Sequence, residues 1–398
     1  MRVQNVTEEG INLTDCKYIN FDTHNGMLKR SQVKEGYLIT KITGVGRMAV
    51  SSVAPKGFEG NINQHLVAIK TNSYKTSEVL ATFLNSDIGE RLACRRSTGG
   101  TRPALDYQAV KTIPILFKPE TVDIMQSAYE QKKQREAEAQ RLLDSIDDYV
   151  LDELDIKLPE VEDKICFVVN VEEVQKNRMD VYYYQPKFEE VKRVLEKGKY
   201  KTLLLKEVSI EITSGQRPKG GVRQISEGVP SLGGEHILSN GLIATQDLKF
   251  IAKDFHKAHL KSKVQKNDIL IVKDGATTGK VGIIPDDYPF EEANINEHVF
   301  LVRCSKEINP YYLFSCLKSQ IGQIQMNREI TGGTIMGIIR DSIEKMLIPL
   351  PPFQIQQKIA QEVKSRRERA KKLRQEAKEI LTKAKEKVEK IILSEDDY

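Results

Sequence analysis

The stretch of this 398-residue chain that comes nearest to a catalytic pattern is GATTGK, Gly275 to Lys280. A phosphate-binding loop needs four residues between its glycines and a Ser or Thr after the lysine. Here three residues separate Gly275 from Gly279, and Val281 follows Lys280. A glycine-rich hairpin turn accounts for the stretch better. LPPF, Leu350 to Phe353, has the double proline of the motif that grips an amino group for methyl transfer. That chemistry needs a polar acceptor ahead of the prolines, and Leu350 supplies none. Glu190-Val191-Lys192 has the Glu-x-Lys spacing of some nucleases, but within a charged helix such phrases arise by chance. No serine or cysteine has a believable base, and the six histidines are too dispersed to hold a metal.

One polar phrase recurs. NINQHLVAIK, Asn61 to Lys70, returns as NINEHVFLVR, Asn294 to Arg303, an offset of 233 residues. His65 and His298 therefore serve something common to both places. The reading is structural: hydrogen-bonded histidines, with Asn61, Asn63, Asn294 and Asn296 closing a turn before a strand.

The offset extends outward. LNSDIGE (Leu84–Glu90) faces LKSQIGQ (Leu317–Gln323), and STGGT (Ser97–Thr101) faces ITGGT (Ile330–Thr334). Upstream, GVGRMAV (Gly44–Val50) is set against TTGKVGI (Thr277–Ile283), and Val3–Leu13 against Gly233–Ile243. A repeat this long is a whole domain, not a solenoid unit. Within the second copy, KNDILIVKDG reads as a strand closed by a turn, and KVGIIP and HVFLVR as further strands. Asn309 and Pro310 then open a helix as cap and first helical residue. The first copy lacks a counterpart to residues 182–235, so its lead-in helix and the SGQRPKGG turn have no partner in this chain. Another polypeptide is one source for that piece.

A long charged helix is expected after each copy. In the second, Ala370, Leu373, Ala377, Ile380, Ala384, Val388 and Ile391 step by three and four, a coiled-coil seam. Ala139, Leu142, Ile146 and Tyr149 do the same in the first. So polar a helix is unstable alone, and the economical partner of each is the other, antiparallel. The alternative is that each docks on its own domain.

Composition sets the remaining bounds. Hydrophobic residues are 39% and charged residues 29%, with a net charge of +5, which permits a nucleic-acid partner without demanding one. Five scattered cysteines without a CxxC indicate a reducing compartment and no zinc site. No apolar run is long enough to span a membrane. A cytoplasmic protein is expected.

A duplicated domain with a long helix after each copy resembles the specificity subunit of type I restriction–modification systems. The residues that carry the likeness are KNDILIVKDGATTGKVGI, TSGQRPKGG (Thr213–Gly221), RMDVYYYQP (Arg178–Pro186) and, above all, NREITGGTIMGIIRDSIEKMLIPLPPFQIQQKIAQEV (Asn327–Val363). The first copy departs from the pattern, since ILFKPETVDI (Ile115–Ile124) lacks the double proline and the glutamine-rich helix start. The resemblance implies an α/β (mixed, α+β) fold with two target recognition domains. Residues 1–118 form the first, shortened at its start; 119–157 the first conserved helix; 158–180 a linker; 181–352 the second domain; and 353–394 the second helix, the two helices forming an antiparallel coiled coil.

It also implies a non-catalytic chain that reads a split site in double-stranded DNA. Such a chain docks adenine-methyltransferase subunits, which carry S-adenosylmethionine, and a restriction/translocase subunit. At about 1.5 Å per residue, a helix of about 30 residues spans roughly 45 Å, on the order of a helical turn between half-sites at ~3.4 Å per base pair. Phosphate contacts need cations and hydroxyls, and base reading needs Arg, Lys, Asn or Gln. Residues shared by both copies, such as Gly99, Gly100, Gly332 and Gly333, are then scaffold. Basic residues around them are the candidate contacts: Lys41, Arg47, Arg95, Arg96 and Arg102 in the first copy, and Arg217, Lys219, Arg223, Lys273, Lys280 and Arg328 in the second. Thr98, Thr101, Thr331 and Thr334 are candidate phosphate donors. Each cation taken singly is equally well a solvated surface charge. The competing functional reading is a coiled-coil scaffold whose modules bind proteins; a stand-alone restriction enzyme ranks third, for want of catalytic motifs.

Overall fold

The computed structural model describes residues 1–13, 16–44, 46–158, 166–176, 178–219 and 227–393. The chain divides into two compact units, Met1–Glu138 with Lys372–Tyr398, and Ala139–Lys371. The division runs through both long helices rather than between helix and domain.

In the first unit, strands Leu38–Lys41, Ser51–Val53 and Leu66–Ile69 form an antiparallel sheet with Leu38–Lys41 in the middle. Helix Tyr74–Leu84 starts at Ser73, whose side chain accepts from the Thr76 amide, and helix Asp87–Cys94 follows it. Leu38, Ile42, Ala49, Leu84, Ala93 and Leu105 make the core between sheet and helices. In the second unit, Ile269–Val272 pairs with Val281–Ile283 and with Val299–Cys304, and Val299–Cys304 also pairs with Ser209–Ser214. Helix Pro310–Lys318 is capped by Asn309, with Pro310 at its first position, as the sequence predicts. Helix Gln320–Glu329 follows, and Tyr312, Phe314, Leu317 and Ile321 bury against Phe300 and Val302. The fold is mixed α/β, and the run of elements from Leu38 to Cys94 recurs in the same order from Ile269 to Glu329.

The offset of 233 holds through Asn61–Thr101. Gly89 and Gly322 show why a glycine recurs there: a Cβ on Gly89 would lie 2.1 Å from the Phe83 carbonyl oxygen, and one on Gly322 2.4 Å from that of Leu317. The second helix can start this close to the first only over a glycine. Upstream, the structure corrects the sequence pairing. Leu38 occupies the place of Ile269, and Val53 that of Ile283. Val50 therefore matches Lys280, not Ile283, because the connection between these strands differs in length. The Arg2–Asn5 turn matches Gly233–His236, with the third residue returning a bond to the leading amide in each. This is one residue away from the expected register of Val3 on Gly233.

The long helices are Glu120–Glu153 and Phe353–Leu393. In the first unit, Met125 clusters with Phe83, Val388 and Ile392, and Arg135 pairs with Glu376 at 3.6 Å. The two segments are antiparallel there. In the second unit they are antiparallel again: Lys358 bonds Glu153 at 2.7 Å, and Arg366 donates to the Ser145 carbonyl at 2.7 Å while stacking on Tyr149. The expected seam is buried at Ala139, Ala370, Leu373, Ala377 and Val388, with Ile392 rather than Ile391 at its end. The segment expected as plain linker holds a short helix, Val171–Lys176; Pro159–Ile165 lies outside the described residues.

Candidate nucleic-acid interface

Each unit builds the same platform from a hairpin turn and a Thr-Gly-Gly-Thr loop. In the second unit, the turn after Val272 contains Gly275 and Gly279 at φ +98° and +85°. Its amides are used locally. Gly279 N donates to Val272 O at 2.9 Å, and Thr278 Oγ1 donates to Gly275 O at 2.7 Å. The phosphate-loop geometry is therefore absent, and the hairpin reading of GATTGK holds. Thr331 and Gly337 exchange backbone bonds of 2.8 and 2.7 Å, closing the loop. The loop is fastened to the turn by Gly275 N to Met336 O and Ile338 N to Lys273 O, both 2.9 Å. Gly332 sits at φ +122°, where a Cβ would lie 2.0 Å from the Ile335 carbonyl oxygen.

The first unit repeats the loop closure and one of the two bonds that fasten it to the turn. Thr98 and Ala104 exchange bonds of 2.9 and 2.8 Å, and Leu105 N donates to Ile42 O at 2.7 Å. Gly99 takes φ +95°. The repeated histidines brace the turns: His65 Nδ1 bonds Thr43 Oγ1 at 2.7 Å, and His298 Nδ1 bonds Asp274 Oδ1 at 2.5 Å. Asn63 and Asn296 accept from the amides of His65 and His298, closing the turn as expected.

Asn61 and Asn294 do something the sequence reading missed. Asn61 Oδ1 meets His24 Nδ1, and its Nδ2 donates to Leu28 O and Ser31 Oγ at 2.8 and 2.9 Å. Asn294 Oδ1 meets His256 Nδ1, and its Nδ2 donates to His259 O and Ser262 Oγ at 3.2 and 2.7 Å. Glu59 and Glu292 lie against the far nitrogens of the two histidines, at 3.5 and 3.3 Å. This four-residue knot is part of the scaffold. The signal was a second histidine, 37 and 38 residues ahead of each asparagine.

The candidate cations differ in how far the fold holds them. Arg95, Arg102, Arg217 and Lys219 are exposed, as are Thr98, Thr101, Thr331 and Thr334. Arg217 pairs with Glu297 at 2.9 Å. Lys273, Lys280 and Arg96 are partly buried; Lys273 lies over the Phe300 ring, and Arg96 donates to Leu92 O. Burial lowers the Lys41 amine below its ordinary pKa, opposed by Glu8. Arg47 and Arg328 are engaged within the fold. Arg47 donates to Asn85 O at 2.7 Å and pairs with Asp87, Glu8 and Glu90. Arg328 pairs with Glu189 and stacks on Tyr183, beside Arg178 on the same ring. Arg223 lies outside the described residues.

The loop tips carry a contrast that composition hid. Arg102 and Pro103 stand where the second unit has Ile335 and Met336, which are 68% and 50% exposed. The same loop closure thus presents different chemistry. Among the described residues there is no cluster able to hold a metal ion, and no helix long and apolar enough to cross a membrane.

Residues 197–381 match the type I restriction modification DNA specificity domain. A curated relative, the type I restriction enzyme EcoBI specificity subunit of Escherichia coli, is 30% identical over 132 residues. That alignment covers 32% of this chain and 26% of the relative, so the chain spans about a quarter of its length. Among solved structures, the type I restriction–modification S subunit from M. genitalium is 12% identical, with a TM-score of 0.47 over 100% of this chain and 92% of that one. The HsdS subunit from Thermoanaerobacter tengcongensis is 15% identical, with a TM-score of 0.37 over 98% and 88%.

Proposed function

We propose that this chain, whose residues 197–381 belong to the type I restriction modification DNA specificity family, is the non-catalytic sequence-reading subunit of a methyltransferase complex. Each module reads one half of a split site in double-stranded DNA. The long helices dock adenine-methyltransferase subunits, which bring the S-adenosylmethionine, and a restriction/translocase subunit where one is present. The protein acts in the cytoplasm.

The observation that carries this is the twice-built platform. Its loop closure and one bond to the turn recur at matching residues, while the exposed side chains at its tips differ. Shared fastening holds register, and differing tips read different bases. Arg95, Arg102, Arg217, Lys219, Lys273 and Lys280 are the cations this reading assigns to DNA, with Thr98, Thr101, Thr331 and Thr334 as hydroxyl donors. Arg47 and Arg328 are reassigned to the fold.

The test is fluorescence anisotropy of labelled duplex with the chain and its methyltransferase partner. Contacts to six to ten phosphates weaken binding by about 10³–10⁵ between 50 and 200 mM salt. Affinity that ignores salt favours a protein-binding scaffold instead. Exchanging residues 1–118 for another module changes one half-site only; a change in both halves contradicts the modular reading.

A further inference from the structure

The two units differ most along one strand edge. In the second unit, Val299–Cys304 is hydrogen-bonded on both sides, to Ile269–Val272 and to Ser209–Ser214. The corresponding strand of the first unit, Leu66–Ile69, pairs on one side only among the described residues, with Leu38–Lys41. A second edge is open near it. Leu347–Pro349 pairs with Thr202–Leu204, whereas the residues at the same offset, Pro114–Leu116, belong to no strand.

Both open edges border one apolar groove of about 630 Å³, lined by Val67, Ala68, Ile69, Leu80, Ile113 and Ile115. Its counterpart is filled. Val191, Leu195, Leu205, Val208 and Ile212 are buried there against Val302 and Ile348. Val299–Val302 are accordingly all buried, while Val67, Ala68 and Ile69 are only half-buried, and Leu116 and Phe117 are 51% and 53% exposed. An unpaired strand over an apolar groove is a template for a further strand.

We propose that this groove takes up an extended acidic segment that is not among residues 1–398, which adds a strand to Leu66–Ile69 and a second short pairing to Pro114–Leu116. The second unit states the chemistry required. Val302 lies opposite Ile212, and Arg303 opposite Glu211, whose charge it feels while its guanidinium bonds Asp268 at 2.7 and 2.9 Å. At the same offset these positions are Ile69 and Lys70. The guest therefore alternates apolar residues toward the groove and sets a carboxylate across from Lys70. Arg30, Lys70 and Lys111 line the groove, are exposed, and form no ion pair among the described residues, so an acidic segment is matched in charge as well as shape. The inference rests on comparing the two units and is independent of the DNA reading.

The probe is a synthetic peptide of residues 201–215, added to the full-length chain and followed by hydrogen exchange. Amides of residues 66–70 and 114–117 slow at least about tenfold, and a scrambled peptide has no effect. Lys70→Glu weakens the peptide about two- to fivefold, the size of an exposed ion pair, and a peptide with Glu211→Lys restores it. Three outcomes overturn the proposal: no protection at millimolar peptide, equal protection by the scrambled peptide, or residues 66–69 already exchanging as slowly as 299–302 with no peptide present.

Discussion

Replacing Asn294 with alanine isolates how the repeated phrase works. Asn294 is 1% exposed and joins three groups: His256, the His259 carbonyl and Ser262. His256 is itself 2% exposed. Removing the amide strands the His256 Nδ1 and frees the other two groups of one partner each. Part of the loss is absorbed, since Glu292 still faces His256 Nε2 and Ser262 Oγ still donates to His259 O at 2.8 Å. A buried group left without a partner costs about 1–3 kcal/mol, so the total comes to ~2–4 kcal/mol. Asn61 makes the same three contacts but is only half-buried, so water replaces the amide and Asn61→Ala costs about 1 kcal/mol. Native-state hydrogen exchange reads both. Segment 253–264 opens roughly 30- to 1,000-fold more often in Asn294→Ala, at about 1.4 kcal/mol per factor of ten; segment 21–32 changes about fivefold in Asn61→Ala. Equal effects in the two variants refute the argument that burial sets the cost. A changed half-site preference with the fold intact refutes the assignment of these asparagines to the scaffold.

Other expectations follow from single contacts. Arg47→Ala leaves the Asn85 carbonyl, Asp87 and Glu90 without their cation while Glu8 keeps Lys385, and lowers the stability of the first unit by about 1–3 kcal/mol; calorimetry shows it, and the DNA sequence bound by the surviving fold is unchanged. Gly332→Ala forces a side chain onto the Ile335 carbonyl at positive φ, costing on the order of 1–3 kcal/mol. Sequencing of the duplexes selected by this variant shows one half-site relaxed and the other intact. Cys316 is buried, and burial lifts its thiol to about 12, whereas Cys94 and Cys166 are exposed. At pH 8 a thiol reagent labels Cys94 and Cys166 within minutes and reaches Cys316 only after denaturant is added; early labelling of Cys316 contradicts the packing of helix Pro310–Lys318.

The repeat was legible where side chains and spacing coincide. Gly89 and Gly322 recur because backbone approaches backbone there, and the Thr-Gly-Gly-Thr loops because a positive φ closes them. Asn309 and Pro310 announced their helix through local chemistry alone. Upstream of Asn61 the register was lost, since the connections Ile42–Val50 and Lys273–Lys280 differ in length and a constant offset cannot follow an insertion. The partners of Asn61 and Asn294 were hidden for a related reason. A hydrogen bond across more than thirty residues leaves no periodic trace, and both histidines sit in unlike surroundings, THN and FHK.

The candidate cations were harder still, because residue type does not say whether a charge faces water or its own fold. Arg328 and Arg102 both sit beside a Thr-Gly-Gly-Thr loop. Arg328 is stacked on Tyr183 and paired with Glu189, both from the segment that leads into the second module, while Arg102 is exposed at its loop tip. The first unit has no described counterpart of that segment. The offset places Arg95 at the position of Arg328, and Arg95 is exposed. An arginine at one repeated position is thus held by the fold in one module and left to solvent in the other. If Arg95 is a DNA contact, its alanine variant weakens binding evenly across sequences and lowers the salt slope by about one. Arg328→Ala instead destabilises the second unit and leaves the salt slope where it was. Identical slopes in the two variants contradict this division between reader and scaffold.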